Sequence, residues 1–165
     1  EETGLPEASF DLVTASQCWL YFDKTRAIPE VKRLLAPGGR LLTCHVSWLP
    51  RLDEIARRSE EVVLRHNPSW TAGNWHGFIT PMPAWTEGNF DLQAMFWYDE
   101  PLPFTHVTWR GRLRACRGIG ASLAPEAVQA FGEDLAALLA RAAPDPFTVL
   151  HRVDAHLFVP AGAGR

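Results

Sequence analysis

Cysteine is scarce in this chain: Cys18, Cys44 and Cys116 are scattered over 165 residues. The count is odd and no CxxC pair exists, so neither a disulfide framework nor a thiolate zinc set is expected. Free thiols suit a reducing, cytoplasmic setting, and no metal is expected. An excess of either charge is also lacking. The 16 Lys+Arg against 19 Asp+Glu leave a net charge of -3, without the basic footprint of a nucleic-acid binder. The one cationic cluster is Arg110, Arg112, Arg114 and Arg117. No apolar run reaches the roughly 18 residues of a membrane span. Glu1-Glu2-Thr3 lacks the basic-then-apolar order of a secretory signal. Nucleic-acid, membrane and disulfide-scaffold classes are thereby disfavoured. The oligomeric state is open.

What is present is ordinary for one soluble domain: 47% hydrophobic and 21% charged residues. The chain opens on a charged turn directly before a buried-looking strand, and not on Met. The expectation is a fragment whose upstream part is missing.

The run Phe10–Thr14 is short, apolar and β-branched, as a buried parallel strand requires. Thr25–Leu35 reads as a helix with Ile28, Val31, Leu34 and Leu35 on one face. Thr25 is its expected N-cap, with Pro29 near the first turn. Pro37-Gly38-Gly39 should stop the helix and turn the chain into a strand at Arg40–Val46. A strand, a helix and a second strand in this order give a parallel crossover. Leu52–His66 follows as a helix with a stripe of Leu52, Ile55, Ala56, Ser59, Val62, Val63 and His66. Residues 67–89 form a long Trp-, Pro- and Gly-rich loop. Phe90–Tyr98 is a strand with Phe90, Leu92, Ala94, Phe96 and Tyr98 on one face. Thr105–Arg117 and Pro125–Ala142 are helices, Pro125 suiting a first helical position. Phe147–Val159 is the last strand, with Phe147, Val149, Val153, Ala155 and Leu157 on one face.

Two segments carry more than a fold. Leu5-Pro6-Glu7-Ala8-Ser9-Phe10-Asp11-Leu12-Val13 is similar to the "LP…SFD.V" fourth-strand motif of class I S-adenosylmethionine-dependent methyltransferases of the ubiquinone/menaquinone type. At family-like spacing, Glu30–Leu41 (EVKRLLAPGGRL) resembles their "E..R.LKPGG.L" segment. Later residues, Phe104-Thr105, Trp109-Arg110-Gly111-Arg112 and Gly118–Ser122, resemble a small-molecule subgroup with a helical insertion between the last two strands.

The resemblance implies an α/β fold: the C-terminal portion of a Rossmann-like sheet, mostly parallel, with an antiparallel last strand and a helical insertion. It makes residues 1–165 a partial methyltransferase domain that lacks the glycine-rich cofactor loop. S-adenosyl-L-methionine is the implied cofactor. Gly38-Gly39 cannot replace the absent loop, because it lies at a helix exit and offers no N-terminal anion site.

The resemblance also brings the loop after the first strand, Ala15 to Trp19, to the methionine end of the cofactor. Ser16 and Gln17 are the expected cofactor contacts there, the alternative being that they only cap the loop. Glu1 would lie near the adenine, or simply be a solvated charge. Trp19–Asp23 (WLYFD) resembles the subgroup's "WHWFD", with Leu20 and Tyr21 as departures that remove its His. Trp19 and Tyr21 are substrate candidates, Trp19 otherwise being core. His45 is the candidate base for an acceptor with an acidic proton. Trp75 and His76 in the aromatic loop are further substrate candidates. Arg110 either binds an anionic group such as a carboxylate or lies on a solvated face.

Two functions follow. One is methyl transfer to O, N or C of a small molecule in the full-length chain, this portion alone being inactive. The other is a decayed, non-catalytic module that scaffolds a partner. An unpaired sheet edge is expected to make the isolated chain unstable.

Overall fold

The computed structural model describes residues 1–162. Its strands are β1 (Phe10–Ser16), β2 (Leu35–Trp48), β3 (Phe90–Phe104) and β4 (Phe147–Pro160). Its α-helices are α1 (Lys24–Leu34), α2 (Glu54–His66), α3 (His106–Arg114) and α4 (Pro125–Ala142). The strands form one sheet in the order β1-β2-β4-β3. β1 and β2 are parallel, with Ser16 opposite Cys44. β4 runs against both its neighbours: Leu150 meets Leu49 and Asp154 meets His45 on the β2 side, while Arg152 meets Asp99 and Ala161 meets Asn89 on the β3 side, partner numbers falling as those of β4 rise. Three strands thus share one direction and the last opposes them, as expected from the motifs. The expected insertion between the last two strands is α3 and α4.

The chain divides into two compact units. The first holds Glu1–Val46, Ile79–Tyr98 and the residues from Val153 onward; the second holds Ser47–Phe78 and Asp99–Arg152. In the first unit, α1 lays Ala27, Ile28 and Val31 on Leu35, Leu41, Phe90 and Phe158, with Ala15 and Trp19 completing a buried cluster. Asp23, not Thr25, caps α1: its carboxylate accepts from Thr25 N at 2.9 Å and from Thr25 Oγ1 at 2.7 Å. A carboxylate two residues earlier reaches a free N–H of the first turn and holds the Thr hydroxyl as well, which draws its own pKa down. Pro29 therefore stands inside the helix, where its missing N–H leaves the Thr25 carbonyl without its usual partner.

Pro37-Gly38-Gly39 is not the turn between helix and strand. β2 already starts at Leu35, and the three residues make an irregularity between the pairs Phe10–Leu35 and Leu12–Arg40. Gly38 has φ +78°, and a Cβ on Gly39 would lie 2.9 Å from the carbonyl oxygens of Ala36 and Phe10. Only glycine permits that approach. On β3, Phe90 is buried, but Ala94, Phe96 and Tyr98 of the expected inward face are exposed. β3 is an edge strand, and the apolar cover in this unit ends at Phe90 and Leu92.

In the second unit, α2 and α4 pack Ala56, Val62 and Val63 on Phe131, Leu135, Leu138 and Leu139. Leu52, expected on the α2 stripe, is 67% exposed, because Asp53 caps the helix and leaves Leu52 outside it. Asp53 Oδ1 accepts from Ala56 N and Oδ2 from Leu150 N, at 2.9 and 2.8 Å. α3 begins in a reciprocal capping box between Thr105 and Thr108 and ends at Arg114 rather than Arg117. The fully buried Trp109 ring meets Trp48, Phe104 and Phe147, and its Nε1 donates to Ser59 Oγ at 3.0 Å. Glu60 is buried, accepting from Trp48 Nε1 and Asn74 N, both at 2.6 Å. Burial raises its pKa despite those two donors. It pins Asn74 in the long loop, together with Arg51, whose Nε donates to Asn74 Oδ1 at 3.0 Å.

No helix among the described residues is long and apolar enough to cross a membrane. Two glycines of the second unit predict opposite outcomes. A Cβ at Gly111, inside α3, would meet nothing within 4 Å, whereas one at Gly118 would lie 2.8 Å from Trp70 Cδ1. Gly111→Ala should stabilise by about 0.5–1 kcal/mol, and Gly118→Ala should destabilise by about 1–3 kcal/mol. Paired thermal melts check both signs.

Candidate functional site

The candidate site lies in the first unit, around the carboxyl ends of β1 and β2. At the end of β1, Gln17 adopts φ +59°. Two bonds hold it: Gln17 N to Cys44 O at 2.9 Å and Gln17 Nε2 to Val46 O at 2.6 Å. Its amide donor is thus engaged with the neighbouring strand, as in the capping alternative, and its amide oxygen is left. Ser16, opposite Cys44, is exposed.

Trp19 begins the short 3₁₀ turn after this tip and is 4% exposed. Its ring lies 4.9 Å from Trp85 and 6.0 Å from Phe22, and Lys24 Nζ stands 5.2 Å from its centroid. Lys24 also donates to the carbonyls of Trp19 and Phe22, which closes the turn. Trp19 Nε1 is nonetheless buried without an acceptor. The contrast with Trp109, whose indole is satisfied by Ser59, is informative. A buried donor left unpaired costs about 1–3 kcal/mol, so such a group needs an explanation. Tyr21, at the end of the same turn, is exposed. Glu1 is engaged with α1: its carboxylate accepts from Asp23 N at 2.5 Å and lies 3.4 Å from Arg26.

On β2, His45 alternates with the buried Leu41 and Thr43 and so shares their face. Its Nδ1 lies 3.2 Å from Asp154 Oδ1 on β4. His156 Nδ1 lies 3.5 Å from the same oxygen, and its Nε2 lies 3.2 Å from Thr80 O. Asp154 is buried. Burial pushes its carboxyl up, but hydrogen bonds from His156 and His45, with their charges, prevail and hold it at about 2. The His45 side chain is 24% exposed. A neutral His45 that donates Nδ1–H to Asp154 presents Nε2 as an acceptor, the arrangement a general base requires. Both imidazoles address one carboxylate oxygen, and no cluster able to hold a metal ion occurs among the described residues.

The structure therefore brings Ser16, Gln17, Trp19 and Tyr21 into one segment, tied through Gln17 to the residues flanking His45. Trp75, His76 and Arg110 belong to the second unit. There Trp75 is half-buried, and His76 is exposed and accepts from Phe78 N at 3.0 Å. Arg110 lines a cleft between α3 and α4. Sequence reasoning missed Asp154. The signal was available: a lone acid in the apolar strand Val153-Asp154-Ala155-His156-Leu157-Phe158 must be paired if the strand is covered on both faces.

Residues 1–43 match the family model described as "Methyltransferase domain". That segment is β1, α1 and most of β2. Two curated relatives are the uncharacterized methyltransferases Mb3374 of Mycobacterium bovis and Rv3342 of Mycobacterium tuberculosis. Each is 34% identical over 100 residues, covering 49% of this chain and 39% of the relative. The chain thus spans well under half the length of these relatives. A solved structure from Anaeromyxobacter dehalogenans, described as a candidate type II methyltransferase, aligns with a TM-score of 0.55 at 17% identity. The alignment covers 93% of this chain and 66% of that one, and shows a shared fold. In its strand–helix–strand motif and in its fold, the chain is similar to the class I S-adenosylmethionine-dependent methyltransferases.

Proposed function

We infer that this chain forms part of the methyl-transfer site of a longer protein, which moves a methyl group from S-adenosylmethionine to a small-molecule acceptor. One observation carries the reading: the matched segment 1–43 folds as β1–α1–β2 and ends two residues before His45, whose imidazole is held by a buried carboxylate. The bound cofactor would supply an electrophilic methyl on a sulfonium. Trp19 Nε1, a buried donor without an acceptor, and the exposed Ser16 hydroxyl suit the carboxylate of its methionine end. The Gln17 amide oxygen suits that end's ammonium. Glu1 is a poorer candidate for the adenosine end, because its carboxylate already serves Asp23 and Arg26.

The protein's part is chiefly alignment, since an in-line displacement needs nucleophile and methyl close and collinear. For an O–H or N–H acceptor, His45 Nε2 takes the proton as the new bond forms, and Asp154 stabilises the imidazolium. Aromatic side chains around Trp19 exclude water. Such a base typically contributes a factor of about 10²–10⁴.

The test is calorimetric titration with S-adenosylhomocysteine of the full-length protein and of this chain. The full-length protein should bind; failure of both to bind sinks the reading. Trp19→Phe should weaken cofactor binding several-fold, since it deletes the indole donor and keeps an aromatic ring. His45→Ala should lower kcat by about 10²–10⁴ and leave the cofactor Kd unchanged.

A second prediction concerns acid stability. Asp154 has a folded pKa of about 2, below its unfolded value, so its contribution is present above about pH 4. It is lost as pH falls toward 2 and amounts to about 2 kcal/mol. Urea midpoints of Asp154→Asn and wild type should differ most at neutral pH and converge as pH drops through that window.

A further inference from the structure

The second unit contains a cleft of about 470 Å³ between α3 and α4, lined by Val107, Arg110, Arg114, Val128, Phe131 and Glu133 among others. Its size is that of a small-molecule site. Arg110 is the unusual member. Its Nε is buried without a hydrogen-bond partner. Several other arginines hold carboxylates, among them Arg33 on Glu30, Arg57 on Glu54 and Glu61, and Arg152 on Asp99. Glu133 stands in the same cleft yet is not paired with Arg110; it accepts from Gln129 Nε2 at 3.1 Å. Gly132 lines the cleft beside the guanidinium, a Cβ there lying in ordinary contact, 3.8 Å from Arg110 Nη2. Arg114 lines the same space and adds a second positive charge.

We propose that this α3–α4 cleft binds a monocarboxylate with an apolar body. The carboxylate sits in the Arg110 fork, which offers two parallel donors to its two oxygens. Val107, which is 72% exposed, and Val128 cover the apolar part. Glu133 sets the charge count: with Arg110, Arg114 and one carboxylate of its own, the cleft favours a single negative charge and repels a second. The site is independent of the methyl-transfer reading, and its test reads binding alone.

Octanoate titrated into the protein, followed by calorimetry, should bind saturably. Acetate should bind at least tenfold more weakly for want of an apolar body, and inorganic phosphate likewise because of its second charge. Arg110→Met keeps the stem and removes the fork; it should weaken octanoate binding at least tenfold without lowering the melting temperature. Gly132→Leu fills the opposite wall, and it should also abolish binding. This variant decides the matter if Arg110→Met does not fold. Absence of saturable octanoate binding to wild type, or wild-type affinity in either folded variant, overturns the proposal. Phosphate binding as tight as octanoate overturns the monocarboxylate assignment.

Discussion

β4 has strands on both edges and covered side chains along most of its length, so each buried polar group it carries must find a protein partner. His151 finds Val149 O at 2.8 Å and a stacked Phe104 ring. Asp154 finds His45 and His156. His156 in turn reaches the Thr80 carbonyl. The same constraint that builds the strand into the sheet therefore orients His45, the imidazole closest to solvent in this set. A carboxylate left alone at this position would be costly. Paired twice, it becomes a rigid anchor for a ring with one open nitrogen.

The two buried tryptophans show how similar burial serves different ends. Trp109 is packed among Trp48, Phe104 and Phe147 and satisfied by Ser59. Trp19 is packed among Trp85 and Phe22 and left with an unpaired N–H. Arg110 repeats the theme in the second unit, with a buried Nε and no partner. Unmet donors of this kind lower stability and are retained where something outside the chain can meet them.

Much of the architecture was legible before any coordinates. The α4 boundaries Pro125–Ala142 coincide with the expected helix because proline starts it and the apolar spacing persists to its end. Errors arose where a local signal had two uses. Asp23 and Thr25 are both capping residues, and only the reach of the carboxylate to Thr25 N separates them. Pro-Gly-Gly suits a helix exit or a bulge alike, and the approach of Phe10 O to Gly39 makes it a bulge. The alternation in β3 marks a face correctly, yet Phe96 and Tyr98 lie beyond the apolar cover.

The sequence by itself determined the strand–helix–strand order of residues 10–48, the helical insertion before β4 and the likeness to methyltransferases. These rest on periodicity, caps and short motifs, all of them local in the chain. Tertiary structure decided the pairing of His45 with Asp154 across 109 residues, the unpaired state of the Trp19 indole and the cleft that Arg110 lines. Such features depend on which side chains meet after strands pair and helices pack, and residue spacing alone does not encode that.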